Sequence, residues 1–313
     1  MKFSKVKMSG TGSYAPSNIV TNEDLAARVD TTPEWIYKNL GIRERHISEG
    51  ELTSDLAAKA AERAIAAANI DREEIGLVIL ATSTPDRKAP STACVVKHKL
   101  NIKNHCPAFD LAAVCSGFVY ALNLAATQIQ VGVCKKALVI GADCFSTITD
   151  WDRRDCVFFG DGAGAVIVEA TEEDVFYHGL AFSETENVDN FTVFPNDKTF
   201  TMNAKAVYET GSKVLPTAVK KVIADCGLTV SDINCIIPHQ PSKRLLTSAA
   251  ENLGIDFSLI KTNMERYANT SGGTVPILLD ETVRAGEISK DDIVVFAAVG
   301  SGWTWAASVM KWS

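Results

Sequence analysis

The chain is expected to fold as a layered α/β protein, and three observations point there. Apolar runs of strand length alternate with segments of helical periodicity. Many of these runs are continuous rather than polar at every second residue, as in strands of sheets covered on both faces. With 313 residues, 46% of them hydrophobic and 22% charged, the chain can bury a large core, as one big domain or as two fused halves.

Taken in order, residues 6–8 read as a first strand, broken by Gly10 and Gly12 before Pro16. These glycines are not a dinucleotide fingerprint, because the third glycine is missing and no helix opens there. Thr21 caps a short helix over 22–29, and a second segment carries Trp35 ahead of Gly41-Ile42-Arg43-Glu44-Arg45. Ser54 caps an alanine-rich helix to about Asn69, and 77–81 is a continuous apolar strand. After a polar loop over 85–88, a helix over 91–100 and a short strand at Ala108-Phe109 lead to Cys115, and helical periodicity runs from Phe118 to Ile129. A strand over 137–141 follows, and FGDGAGA at 159–165 is a glycine-rich turn into a strand over 166–168. Nothing resembling a phosphate-binding G-x-x-x-x-G-K-S/T follows it, so close backbone packing is the better reason for those glycines.

The acidic stretch 169–174 is a seam, dividing the chain into halves 1–172 and 173–313. Beyond it, 185–199 reads as an irregular loop, and 204–224 as a helix that Pro216 kinks or splits. A strand at 235–237 ends in Pro238-His239-Gln240, followed by a helix over 242–253 stopped by Gly254. Asn269-Thr270-Ser271-Gly272-Gly273 precedes another helix, stopped by Gly286, and strands over 293–298 and 307–312 flank Gly300-Ser301-Gly302-Trp303. The second half echoes the first, as an ancient duplication would.

Composition removes several classes of function. A formal charge of −7 and a pI near 5.4 argue against a broad nucleic-acid or anionic-membrane surface. No apolar run approaches the roughly 20 residues of a membrane span, and Met1-Lys2-Phe3-Ser4-Lys5 leads into a strand rather than a signal sequence, so a cytoplasmic protein is expected. The eight cysteines are scattered without a C-x-x-C pair, which fits neither a disulfide framework nor a zinc site.

Cys115, in DLAAVCSGF, stands at or near a helix N-terminus, where unpaired amides and the helix dipole lower a thiol's pKa and favour the nucleophilic thiolate. The alternative is a buried, inert cysteine. His239 ends an apolar strand, where open α/β sheets place ligand crevices, Asn269 brings the side-chain amide of its loop, and Gly300-Ser301-Gly302 can aim backbone N–H groups at an oxyanion. Each also has a structural reading: a satisfied buried histidine, a turn asparagine, a tight turn.

Together, DLAAVCSGF, FGDGAGA, PHQ, NTSGG with a nearby VP, and GSGWTW, in this order and spacing, resemble the β-ketoacyl-acyl-carrier-protein synthase III family of thiolase-like fold. The resemblance runs from GTGSYAP and EWI…GIRERHI to the terminal strand, essentially the full length. It implies two similar α/β halves in an α-β-α-β-α sandwich and a homodimer. It also implies an acyltransferase in which Cys115 takes an acyl group from acyl-CoA and malonyl carrier protein is then decarboxylated and condensed onto it. His239 and Asn269 would stabilise the enolate, and the N–H groups of Cys115 and Ser301 the tetrahedral oxyanion. One such donor is typically worth about 3 kcal/mol. No metal or redox cofactor is implied.

Trp35 and Arg153 match positions that hold the CoA nucleotide, Lys243 and Arg244 a basic patch for an acidic carrier protein, and Ala89 a residue lining the acyl pocket across a dimer interface. The departures are Ser301 for a third glycine, Pro241-Ser242 for Ala-Asn, Asn39 and Lys205 for arginine and asparagine, and Arg154 for glycine. Glu209, Glu251 and Asn252 stand where basic residues are frequent. They point to a specialised member, and keep open a thiolase-fold acyltransferase or condensing enzyme of secondary metabolism with a non-carrier acceptor.

Overall fold

The computed structural model describes residues 4–186, 188–194 and 197–313; Met1–Phe3, expected to lead into the first strand, and part of the loop expected over 185–199 lie outside the described residues. Strand β1 (Val6–Tyr14) is followed by β2 (Ile19–Thr21), α1 (Asn22–Ala26), α2 (Pro33–Leu40), β3 (Glu44–His46), α3 (Thr53–Ala68), β4 (Leu77–Ala81), α4 (Thr92–Lys99) and β5 (Ala108–Leu111). Helix α5 (Gly117–Gln130) leads to β6 (Lys136–Cys144), β7 (Asp161–Ala170) and β8 (Tyr177–Ser183). A short pair, β9 (Phe191–Thr192) and β10 (Thr201–Met202), precedes α6 (Ala204–Ala224), β11 (Cys235–Pro238), α7 (Lys243–Leu253), α8 (Met264–Tyr267), α9 (Thr274–Arg284), β12 (Ile293–Gly300) and β13 (Thr304–Lys311).

Two large sheets result, in the orders β1-β7-β6-β4-β5 and β11-β12-β13-β8, beside the two-stranded pairs β2-β3 and β10-β9. In the first, β4 runs parallel to β5 and β6 while β7 is antiparallel to β6 and β1. In the second, β11 is parallel to β12 and the remaining pairs are antiparallel. The strands have to be apolar on both faces because both faces are covered. Val78 and Leu80 pack outward against α3 and α4, whereas Leu77 and Ile79 face inward onto α5 and α9. On the other sheet, Cys235 and Ile237 meet that same middle layer, and Ile236 packs outward on α6 and α7. The layers are therefore α-β-α-β-α, with the site at the C-terminal ends of the inner strands.

Local chemistry sets several boundaries. Thr21 and Asp24 close a capping box at the start of α1, Pro33 begins α2 with Thr32 as cap, and Gly41 and Gly254 end α2 and α7 in the left-handed region. Four expectations are corrected. Ser54 lies inside the first turn of α3 rather than capping it, and the Asp55 carboxylate accepts the Leu52 N–H at 2.9 Å instead. Gly10 and Gly12 do not break β1. They let α3 lie against it, since a Cβ on either would overlap backbone of that helix. Likewise Gly162 and Gly164 belong to β7 itself, and the helix pressed on that strand is α9. Finally, α6 runs unbroken through Pro216. The proline leaves the Ser212 carbonyl without its helical donor, and the Asn252 amide supplies one at 3.5 Å.

Among the glycines, the closest approach to another segment's backbone is at Gly141 in β6, where a Cβ would overlap the Gly272 carbonyl and then meet the Cβ of Phe118 at 3.3 Å. Gly141→Ala is accordingly expected to destabilise the protein by about 1–3 kcal/mol in urea unfolding and to lower activity by displacing the 269–273 loop. An unchanged midpoint would show that the loop yields freely.

Candidate active site

Cys115 sits in a single turn, Val114–Ser116, immediately before α5. Val114 carries φ 46°, an uncommon conformation for a β-branched residue, and this left-handed step swings the chain from β5 into the helix. His239 follows β11 directly, its own N–H donating to Ala297 on β12 at 2.8 Å. Asn269 is held by its backbone, its N–H on Phe158 O at 3.0 Å and its C=O accepting from Gly160 N at 3.1 Å. These three residues, with Gly300 and Ser301, line one cavity of about 90 Å³.

The remaining walls are apolar. Phe145, Phe158, Phe159 and Phe191 line the cavity, and Phe145 stacks on Phe159 at 4.3 Å between centroids. Val207, Tyr208, Pro241 and Leu245 continue the lining along α6 and the start of α7. Such a lining suits an acyl chain and excludes water. Trp303, almost fully buried, also lines it.

Each polar group in the cavity is oriented by a second one. The Asn269 Oδ1 accepts the Ser271 N–H at 2.8 Å, which leaves its NH₂ as the donor end. The Thr274 hydroxyl donates to Ser271 O at 2.9 Å and lies 2.7 Å from His239 Nδ1. A carbonyl can only accept, so the hydroxyl proton is committed to it and Nδ1 carries the imidazole hydrogen, leaving Nε2 with a lone pair. The thiol of Cys115 lies 3.7 Å from Ser271 Oγ. Gly300 stands where a Cβ would lie 3.0 Å from the Cys115 and Ser116 nitrogens, so glycine leaves room beside the Cys115 N–H, while the Ser116 N–H is already donated to Ala113 O at 3.1 Å. Ser301 occupies the usual third-glycine position without filling the cavity, because its hydroxyl turns away to donate to Phe191 O at 2.8 Å.

One expectation fails here. The backbone amide at the helix start does favour the thiolate, but burial outweighs it. Burial pushes Cys115 up to about 12, with Asp143 adding to the rise and the Ser271 hydroxyl opposing it. Burial also drives His239 down to about 3. Thiol and imidazole are therefore both neutral at rest.

The outlying residues are placed as follows. Trp35 is partly exposed, and the guanidinium over its ring, 4.1 Å from the centroid, belongs to Arg154. Arg153 is instead engaged by Asp155, at 2.6 and 3.1 Å, and by Phe200 O at 2.7 Å. Lys243 and Arg244 lie exposed on the first turn of α7, with Arg244 over Tyr208 at 4.7 Å. Tyr208 lines both the cavity and a shallow pocket holding those two cations and Glu251. Ala89 is exposed and does not line its own chain's cavity. Among the described residues, no group of three or more His, Cys, Asp or Glu is placed to hold a metal ion, and no helix is long and apolar enough to cross a membrane.

Sequence reasoning left Ser271, Thr274 and Asp143 without roles. Asp143, at the end of β6, is buried and accepts from Gly272 N at 2.9 Å and from Ser83 N at 2.7 Å. The signal was present in NTSGG and its following threonine, but hydroxyls in a small-residue loop carry no pattern of their own.

A cysteine, an imidazole and an amide at one apolar cavity in an α-β-α-β-α sandwich define the thiolase-fold condensing enzymes, a class of acyltransferases. Residues 109–183 match the family described as 3-oxoacyl-(acyl-carrier-protein) synthase III, and residues 223–312 match its C-terminal part. A β-ketoacyl-(acyl-carrier-protein) synthase III of Clostridium acetobutylicum is 43% identical over 98% of this chain and 99% of its own, and one from Neisseria meningitidis serogroup C is 42% identical over the same shares. The crystal structure of the 3-oxoacyl-(acyl-carrier-protein) synthase III from Aquifex aeolicus superposes with a TM-score of 0.96 at 36% identity, covering 98% of this chain and 100% of that one. The chain belongs to the β-ketoacyl-acyl-carrier-protein synthase III family.

With both partners neutral, Cys115 alkylation by iodoacetamide, followed on its own peptide by mass spectrometry, is expected to rise about tenfold per pH unit between about pH 6 and about pH 10. A plateau near neutral pH would mean a standing thiolate–imidazolium pair.

Proposed function

We propose that this protein carries out decarboxylative Claisen condensation of an acyl group, taken from acyl-CoA onto Cys115, with malonyl-acyl carrier protein, giving a β-ketoacyl thioester that starts a fatty-acid or related chain. The observation that carries this reading is the meeting of Cys115, His239 and Asn269 at one apolar cavity in a chain of this family.

In the first half-reaction, Cys115 gives its proton to the bare Nε2 of His239 as its sulfur attacks the thioester carbonyl. The oxyanion rests on the N–H groups of Cys115 and Ser301, and the proton passes to the departing CoA sulfur. In the second, malonyl carrier protein loses carbon dioxide, and the enolate oxygen takes hydrogen bonds from His239 Nε2–H and the Asn269 amide. The enolate carbon attacks acyl-Cys115, and the tetrahedral intermediate expels the sulfur. Condensation consumes one proton overall: taken from solvent onto Nε2 after CoA leaves, it donates to the enolate oxygen and ends on the Cys115 sulfur, leaving His239 with its Nδ1 hydrogen. The Thr274 hydroxyl accepts from Nδ1–H throughout, so only Nε2 gains and loses a proton.

Neither half-reaction needs a cofactor. Trp35 and Arg153, with Arg154 beside them, would take the CoA nucleotide, and Lys243 and Arg244, next to the cavity mouth at Tyr208, the acidic carrier protein. Glu251 in that basic pocket favours a second reading, condensation on a non-carrier acceptor, and the product mass separates the two. We further take the chain to act as a homodimer in the cytoplasm, built of halves 1–172 and 173–313. Strand β5, the edge of its sheet with Phe109 partly exposed, suits self-pairing, and eight free cysteines suit a reducing compartment.

Intact-mass measurement after incubation with acyl-CoA is expected to show a covalent acyl adduct in the wild type and, formed more slowly for want of the imidazole base, in His239→Ala, but none in Cys115→Ala. Only the wild type should then release carbon dioxide and product with malonyl carrier protein. An adduct in Cys115→Ala rejects the nucleophile. If Ala89 opens the partner's acyl pocket, hexanoyl-CoA and octanoyl-CoA should acylate Cys115 as readily as acetyl-CoA; acylation by acetyl-CoA alone rejects that role.

A further inference from the structure

Ser271 is fully buried, and its polar groups reach all three catalytic side chains, one of them through Thr274, while its hydroxyl also faces Asp143. Its N–H donates to Asn269 Oδ1 at 2.8 Å. Its carbonyl accepts from the Thr274 hydroxyl at 2.9 Å, and the Thr274 hydroxyl oxygen lies 2.7 Å from His239 Nδ1. Its hydroxyl lies 3.7 Å from the Cys115 sulfur. The residue reaches this arrangement with φ 50°, a left-handed conformation that is strained for a serine and persists only where the surroundings hold it. Here the next residue does the holding, its N–H donating to the buried Asp143 at 2.9 Å. On the far side Ala268 is also in a positive-φ conformation, at 56°.

We propose that Ser271 is a positioning residue that sets the amide orientation of Asn269, the tautomer of His239 through Thr274, and the hydrogen bonding of the Cys115 thiol, so that one buried serine brings all three into register. The proposal rests on the catalytic reading above for its importance, but its geometry is independent of any substrate. Without Ser271 O, the Thr274 hydroxyl is free to donate to Nδ1, and the imidazole hydrogen moves to Nε2. Without the Ser271 hydroxyl, the thiol keeps the penalty of burial and loses the group that opposes it. The two effects separate because one runs through the backbone carbonyl and the other through the side chain.

The test uses the full-length chain without substrate. Ser271→Ala removes the hydroxyl alone. It is expected to slow iodoacetamide alkylation of Cys115 about five- to tenfold, the equivalent of one hydrogen bond, and to move its pH profile upward. Thr274→Val keeps the shape and deletes the link to His239. Nitrogen-15 NMR of the imidazole should then pass from the Nδ1–H pattern of the wild type to a mixed or Nε2–H pattern, and Thr274→Ser should restore it. A Ser271→Ala alkylation profile superimposing on the wild type overturns the thiol arm, and an unchanged tautomer pattern in Thr274→Val overturns the histidine arm. Thr274 lies apart from the strained backbone, so the second arm stands even where Ser271→Ala folds poorly. Failure of the wild type to form an acyl adduct would count against the catalytic reading and leave both measurements intact.

Discussion

The buried carboxylate of Asp143 is the constraint on which the site depends. It lies at the end of β6 with no exposure, and burial raises its pKa, so it survives there only with donors on both oxygens. Oδ1 accepts from Ser83 N, Thr84 N and the hydroxyls of Thr82 and Thr84, while Oδ2 accepts from Gly272 N. One side chain thus fastens the end of β4, the end of β6 and a loop arriving from the other half of the chain. Gly141, two residues earlier, makes room for that loop's backbone to come into contact.

Burial of the whole site has an electrostatic consequence. A thiol pushed up to about 12 beside an imidazole pushed down to about 3 gives no standing ion pair, and the cavity holds only neutral donors and acceptors until substrate arrives. Charge that develops in such enclosed, apolar surroundings is stabilised most strongly by donors already held in place. A decarboxylation that leaves an enolate gains from the same surroundings: few competing waters, an apolar wall of phenylalanines, and two fixed donors. The early expectation of a thiol activated by its helix took account of the dipole and missed desolvation, which is the larger effect once the sulfur is enclosed between two halves.

Much of the fold was legible because its signals are local or periodic. The continuous apolar run of β4, the cap at Thr21 and the stop at Gly254 are each read from a few neighbouring residues. The misreadings came where a distant element decides. Gly10 and Gly12 look like strand breakers until α3 is seen lying on them, and Gly162 and Gly164 look like a turn until α9 is. Pro216 looks like a helix end until Asn252, on another helix, reaches the orphaned Ser212 carbonyl. Arg153 and Arg154 are adjacent in sequence, yet only contacts with Asp155 and Trp35 show which guanidinium is tied down and which stacks.

The residue order alone determined the layered α/β class, the family resemblance and the identity of the cysteine, histidine and asparagine, because those depend on periodicity and on short motifs kept in sequence. Tertiary structure alone decided that Cys115 and His239 are neutral at rest, that Ser301 turns its hydroxyl out of the cavity, and that Ser271 and Thr274 link the three side chains. Protonation, side-chain direction and hydrogen-bond partnership are set by what is packed nearby, and at this site the neighbours come from segments more than 100 residues apart.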